Sequence, residues 1–256
     1  MTFKSLQWNI GGAYIRRPDA DSSDARSYRN PDLDYVSGVL AEVSPDIITL
    51  QETHAAETQI QAQALAQKLG YPAAINDTYD QSHIDPSQRL GQAVISRWPV
   101  SEHSFELFLN PGYSLTRPDG TLWRSHDKGM TSVSIDLPGA RLRTQTLHAI
   151  PFRPFGVDLK SESAIAVLNN MESRIDIDAA PLLVQGDFNI DSDTLASYFP
   201  RTFDRGMEEC PLAAGTTPKG RKYDHVLYRG MRLIDQKIRN DVLTDHYPVI
   251  TTFEIS

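Results

Sequence analysis

Short apolar runs recur along the chain, and several stop at a polar cluster. Residues 3–12 (Phe-Lys-Ser-Leu-Gln-Trp-Asn-Ile-Gly-Gly) read as a strand that ends at Asn9 and two glycines. Residues 46–52 form an apolar run that delivers Glu52, residues 142–147 lead into His148, and residues 181–185 lead into Gly186-Asp187-Phe188-Asn189. Near the C-terminus Asp245-His246 stands at the start of a last strand. Further strands are predicted over residues 93–96, 130–135, 142–147, 182–184, 225–228 and 249–253. Helical spacing of apolar residues predicts helices over 34–43 (Val36, Val39, Leu40, Val43), 53–69 (Ile60, Leu65, Leu69) and 161–175 (Ile165, Leu168, Met171, Ile175). Helices therefore separate strands in both halves, an α/β pattern.

The polar ends share a chemistry. A carboxylate and a carboxamide two residues apart, Asp187 and Asn189, face a common site from one strand, and hard cations take such oxygen donors. Gly-Asp at a strand end is also ordinary turn chemistry. A sheet that gathers Asn9, Glu52, His148, Asp187 and the Asp245-His246 pair on one rim makes an acidic, concave mouth with two imidazoles above it.

In this order the motifs QWNI, LQET, LHAIP, GDFN, KYDHVLY and TDHYPVI resemble those of the endonuclease/exonuclease/phosphatase superfamily, from Asn9 to the last strand. The resemblance implies a deoxyribonuclease I-like fold, a four-layer α/β/β/α sandwich with the active site where two sheets open. It also implies a metal-dependent phosphoric ester hydrolase using Mg²⁺, with Mn²⁺ as a substitute. Asn9, Glu52 and Asp245 are then the metal-side residues, with Glu52 the principal ligand. Asp187 orients or deprotonates the attacking water, Asn189 holds the water or the phosphate, His246 contacts a non-bridging oxygen, and Asp224 fixes the His246 tautomer. Whether Asp187 or His246 is the general base stays open. His148 assists the leaving group, but no acidic partner for it is found in residues 88–97. His54, His83, His103, His126 and His225 are read as bystanders.

Composition narrows the picture only at the edges. At 256 residues, with no repeat and no linker-like stretch, one domain is expected. No apolar run is long enough to cross a bilayer, the N-terminus lacks the organisation of a signal peptide, and the single Cys210 forms no internal disulfide; a cytoplasmic monomer is expected. A net charge of −8 opposes nonspecific binding to duplex DNA. Basic residues nonetheless stand among aromatics in loops, and Arg29, Trp123, Arg153 and Lys222 are candidates for substrate binding. The segment 16–30, rich in Asp and Ser, is expected to be mobile without ligand. The expected substrate is a phosphate ester, with nucleic acid or a nucleotide ahead of a phosphoinositide, sugar phosphate or phospholipid head group. A binding module that has lost its chemistry would miss a motif residue, and none is missing. No Gly-x-Ser-x-Gly elbow suggests a serine hydrolase.

Overall fold

The computed structural model describes residues 1–255. In chain order its elements are β1 (Thr2–Asn9), β2 (Tyr14–Ile15), β3 (Asn30–Pro31), α1 (Leu33–Val43), β4 (Ile47–Ala55), α2 (Gln61–Leu69), β5 (Ala73–Gln81), β6 (Arg89–Ser96) and β7 (Val100–Leu107). They continue with β8 (Ser114–Thr116), β9 (Leu122–Arg124), β10 (Gly129–Leu137), β11 (Ala140–His148), α3 (Glu162–Glu172), β12 (Leu182–Asp187), α4 (Pro200–Asp204), β13 (Glu208–Glu209), β14 (Asp224–Arg229), β15 (Arg232–Ile238) and β16 (Val249–Glu254). Two six-stranded sheets result, ordered β15-β16-β1-β4-β6-β5 and β13-β14-β12-β11-β10-β7.

Three apolar clusters explain the layers. One lies between the sheets and includes Phe3, Ile47, Val133, Leu183, Val226 and Phe253. A second packs the outer face of the first sheet (Leu6, Trp8, Ile48, Leu50) against α1 and α2, and a third packs Leu182 and Val184 against α3 and α4. The order is helix, sheet, sheet, helix, the sandwich expected from the sequence.

Side chains alternate across each strand, so every second residue points between the sheets. Read toward the rim, those inward positions grade from apolar to polar: Phe3, Ser5, Gln7, Asn9 on β1; Ile47, Thr49, Gln51 on β4; Leu142, Thr144, Thr146, His148 on β11; Leu183, Gln185, Asp187 on β12. The middle of this gradient is buried and bonded across the gap. Gln185 Nε2 donates to Thr49 Oγ1 (2.9 Å), Gln51 Nε2 to Thr146 Oγ1 (2.9 Å) and Gln92 Nε2 to Thr131 Oγ1 (3.0 Å). Each bond satisfies an amide that burial would otherwise penalise.

Two expectations change. Residues 53–55 are strand, paired with Gly91, Leu90 and Arg89, and the second helix begins only at Gln61. The partner strand β6 offers a hydrogen-bond ladder to Thr53, His54 and Ala55 that outweighs the helical tendency of an Ala- and Gln-rich segment. In α3 the buried stripe is Ala164, Val167, Leu168 and Met171, and Ile165 stays 46% exposed because it sits one position off that stripe.

Candidate active site at the sheet opening

The central strand pairs of both sheets are parallel, β1 with β4 and β11 with β12. Their carboxyl ends therefore leave the sandwich on one side. Across the second sheet the register sets His148 beside Asp187 and Asp187 beside Asp224. Gly186 lets these strands close up, since a Cβ there would lie 2.1 Å from the Leu147 carbonyl oxygen. Its role is close backbone approach rather than a turn.

Glu52 reaches the site by an irregularity. Gln51 points between the sheets, so regular alternation would turn Glu52 outward. The pairing of β4 with β6 slips between Gln51 and Thr53, and Glu52 takes a left-handed φ of 54°. This bulge re-aims the carboxylate into the mouth. Asn189 likewise has φ 54°, with its N–H donating to Asp187 Oδ1 (2.9 Å) and its amide to the Ala149 carbonyl (2.9 Å).

The site then assembles around Asp187. Asn9 Nδ2 donates to Asp187 Oδ2 (3.0 Å), while His148 Nε2 lies 3.5 Å and His246 Nε2 3.8 Å from that oxygen. Glu52 Oε1 lies 3.9 Å from the same His148 nitrogen, which brings residues from both sheets to one imidazole. His246 Nδ1 pairs with Asp224 Oδ2 at 2.8 Å, and Gln7 Nε2 donates to Asp224 Oδ1 at 3.0 Å. The backbone of His246 is anchored through its carbonyl, which accepts from the Trp8 indole (3.0 Å). Asp245 borders the same cavity, of about 150 Å³.

Electrostatics follow from burial and charge. Burial pushes the Asp187 carboxyl up to about 6, against the pull of His246, and burial also raises Asp245. For His246 burial opposes protonation, but the Asp224 and Asp187 carboxylates outweigh it and hold the imidazole well above its ordinary value. Burial would raise Glu52, yet the nearby His83 and Lys128 bring it below the usual range. His148 is held well below its ordinary value by burial and then by Lys128.

Lys128 and Tyr79 complete the His148 side. Lys128 is buried, its ammonium 3.0 Å from His148 Nδ1, 3.1 Å from Nε2 and 3.9 Å from Glu52, and burial lowers it to about 8. Tyr79 Oη lies 2.9 Å from His148 Nδ1, and burial raises its phenol well above the ordinary value, so it donates. The tyrosine hydroxyl at Nδ1 makes that nitrogen the acceptor and leaves the hydrogen on Nε2, facing Asp187 and Glu52, while Lys128, nearly equidistant from both nitrogens, does not choose between them. The partner of His148 is thus a tyrosine on β5 with a lysine beside it, not an acid from residues 88–97.

Several expectations about individual residues change here. His83 and His126, read as bystanders, line the cavity, their rings 5.1 Å apart. His54 sits behind it against Ser82 (2.8 Å), His225 is held by Glu209 (2.8 Å) and His103 pairs with Asp77 (2.9 Å), all outside the cavity lining. Trp123 lines the cavity and packs on Phe155 with ring centroids 4.6 Å apart. Arg153 borders two adjoining grooves. Lys222 lies off the cavity lining, its ammonium donating to Asp193 (2.5 Å) and to the Leu212 carbonyl (2.7 Å). Arg29 is exposed and lines none of these cavities, because the segment that carries it runs on past the mouth. Sequence reading missed Gln7, Tyr79 and the buried position of Lys128; the even spacing Phe3-Ser5-Gln7-Asn9 was the available signal for the first.

The donor set suits a hard dication. Glu52, Asp187, Asp224 and Asp245 face Lys128 and His246 in the buried part of the site, with the exposed Arg124 at its mouth, so carboxylates outnumber cations there. Among the described residues Asp187, Asp224 and His246 also present three ligand atoms within 4.8 Å of one another. Asp224 and His246 already bond each other at 2.8 Å, whereas Glu52 and Asp245 both line the cavity.

A profile of the Endonuclease/Exonuclease/phosphatase family matches residues 6–246. The solved endonuclease/exonuclease/phosphatase from Beutenbergia cavernae DSM 12333 is similar at TM-score 0.74 and 19% identity, covering 100% of this chain and 72% of that one. ANGEL2, a 2′,3′-cyclic phosphatase in complex with adenosine-2′,3′-vanadate, superposes at TM-score 0.64 and 13% identity, covering 100% and 96%. D. rerio TDP2 complexed with single-strand DNA product superposes at TM-score 0.59 and 15% identity, covering 99% of each chain. A curated relative, UPF0294 protein YE0917 of Yersinia enterocolitica, is 28% identical over 119 residues, 45% of this chain and 44% of the relative, so the match spans less than half of its length. Among the described residues no helix is long and apolar enough to cross a membrane. With a profile match over nearly its whole length and the corresponding fold, this chain belongs to the endonuclease/exonuclease/phosphatase family.

Proposed function

We propose that the chain is a Mg²⁺-dependent phosphoesterase that hydrolyses a phosphodiester by in-line attack of water. The observation that carries this reading is the juxtaposition of a surplus of carboxylates with a charged imidazole, His246, held by its own carboxylate partner. Glu52, Asn9 and Asp245 would hold the ion, which supplies charge stabilisation at the phosphoryl oxygens.

The chain's own groups account for the rest. Asp187, with its carboxyl near 6, is deprotonated at neutral pH yet basic enough to take a proton from water. Asn189 and Asn9 fix its position through the Asn189 N–H and the Asn9 amide. His246, kept protonated, donates from Nε2 to a phosphoryl oxygen as charge develops there. His148 is held neutral, so it serves as an Nε2–H donor, and the positive charge on that side is carried by Lys128. The same residues accommodate phosphomonoester hydrolysis, the second reading.

Nucleic acid or a nucleotide leads as substrate because Trp123, Phe155, Arg124 and the His83/His126 pair line the mouth with rings and cations. The similarity to TDP2 with its DNA product and to ANGEL2 with an adenosine ligand points the same way. Hydrolysis of bis(p-nitrophenyl) phosphate and of a labelled single strand, with Mg²⁺ and with EDTA, tests the proposal. Turnover of both that EDTA abolishes is expected; release of phosphate from monoesters alone would replace the nuclease reading, and no turnover of any ester would end it.

A further inference from the structure

Besides the reacting cavity, a cleft of about 230 Å³ opens along Asp245, bounded by residues 22–28, Arg153, 217–221 and Tyr223. Asp245 lines both spaces, so the cleft adjoins the scissile centre. The volume is several times the ~30 Å³ share of a water in the liquid, enough for a phosphate and its linking atoms.

The charges of the cleft are unevenly satisfied. Arg221 pairs with Asp191 (2.5 Å), and in the neighbouring loops Lys222 pairs with Asp193 (2.5 Å) and Arg26 with Asp24 (2.9 Å). Arg153 and Lys219 have no ion pair among the described residues, although both border the cleft. The Asp21 carboxylate, which feels the charge of Lys219, is already bonded to the N–H and hydroxyl of Ser23 (2.8 Å each). Apart from Asp245 the lining has no carboxylate. Thr217 Oγ1 accepts from the Arg221 N–H (3.1 Å), which leaves its own hydrogen free to donate, and Ser22 and Tyr223 add two hydroxyls. Two free cations with hydroxyl donors make an anion site, and its ligand is tetrahedral and multiply accepting.

We propose that this cleft binds a second phosphate of the substrate, one that is not hydrolysed. The inference rests on the phosphoesterase reading and narrows it: the preferred substrate is a phosphodiester whose chain carries another phosphate on the Asp245 side. A lone monoester, or a diester with two neutral arms, leaves Arg153 and Lys219 unused.

The test compares kcat/KM of the full chain with Mg²⁺ on bis(p-nitrophenyl) phosphate, dTpdT, pdTpdT and dTpdTp. One of the two terminally phosphorylated dinucleotides is expected to exceed dTpdT by about tenfold or more, through KM, as befits a charge-assisted contact. Lys219→Glu should erase that gain and keep the rate on bis(p-nitrophenyl) phosphate. Equal kcat/KM for all three dinucleotides, or a Lys219→Glu variant that retains the gain, overturns the proposal. If none of the esters is hydrolysed, the phosphoesterase reading has failed, and calorimetric binding of pdTpdT, dTpdTp and inorganic pyrophosphate in EDTA then decides the subsite alone. Binding weakened about tenfold by Lys219→Glu supports it, and equal binding by wild type and variant rejects it. Loss for pyrophosphate and dinucleotide alike identifies a site that reads phosphate; loss for a dinucleotide only identifies one that reads a strand.

Discussion

Asp224 grips His246 through Nδ1 at 2.8 Å, and the other oxygen of the same carboxylate accepts from the buried amide of Gln7 at 3.0 Å. The imidazole orientation is thereby fixed from both sheets. Asp224→Asn is expected to lower kcat by roughly 10²–10⁴-fold with little change in KM, because the lost function is exercised as charge forms. Gln7→Leu should give a smaller loss of the same kind. Steady-state kinetics on bis(p-nitrophenyl) phosphate check both; unchanged kcat in Asp224→Asn would remove His246 from the mechanism.

Glu52→Gln should abolish Mg²⁺ binding measured by calorimetry while leaving the protein folded. In EDTA its melting temperature should fall somewhat below wild type, since the fold holds the Glu52 carboxyl below its usual range and the buried Lys128 loses a counter-charge. A variant that still binds Mg²⁺ normally would move the ion away from Glu52.

Lys128→Met should raise the titration midpoint of His148, followed by imidazole NMR in EDTA. The lysine is the second cause of the depressed value after burial, so the midpoint rises without reaching that of a free histidine. No movement of the His148 signal would break the link between them.

In the metal-free protein the stabilising contribution of Asp187 should fade as pH rises toward neutrality. Asp187 is raised in the fold from 3.8 to about 6, so its contribution is full below the unfolded value and lost as pH climbs through about 6, some 3 kcal/mol by linkage. Asp245 is shifted in the same direction. The excess melting temperature of wild type over Asp187→Asn in EDTA, a difference that cancels the opposing shifts of His148 and Glu52, should fall between pH 4 and 7 and flatten with Mg²⁺; an identical profile in both would contradict the proposed occupancy.

Gly186→Ala should destabilise by about 3 kcal/mol or more, because the added carbon meets backbone rather than a side chain that can move. Urea unfolding measures this. A loss below about 1 kcal/mol would show that β11 and β12 can separate.

The positions of Asn9, Asp187 and His148 were legible because each ends a strand whose alternate residues already point inward. The layers were legible only through the family resemblance, since periodicity separates helices from strands but does not say how they stack. Glu52 was legible only through motif order, for its orientation depends on a bulge that alternation does not encode. Tyr79 and Lys128 were hidden for another reason: β5 reads as a polar segment, and a lysine among arginines looks solvent-facing until two sheets close over it. That Arg29 and Lys222 stand off the cavity lining was not legible, because composition reveals neither where a loop runs nor which cations are already paired.

The graded interior between the sheets has a mechanical meaning. At the closed end the sheets adhere by oil; toward the rim they are stitched by glutamine and threonine, which hold distance and angle more strictly than grease does. Such a hinge-like wedge resists splaying, so a bound dication would act as a clasp across its open end. Proteases and hydrogen exchange should therefore find the rim first in chelator and last in magnesium.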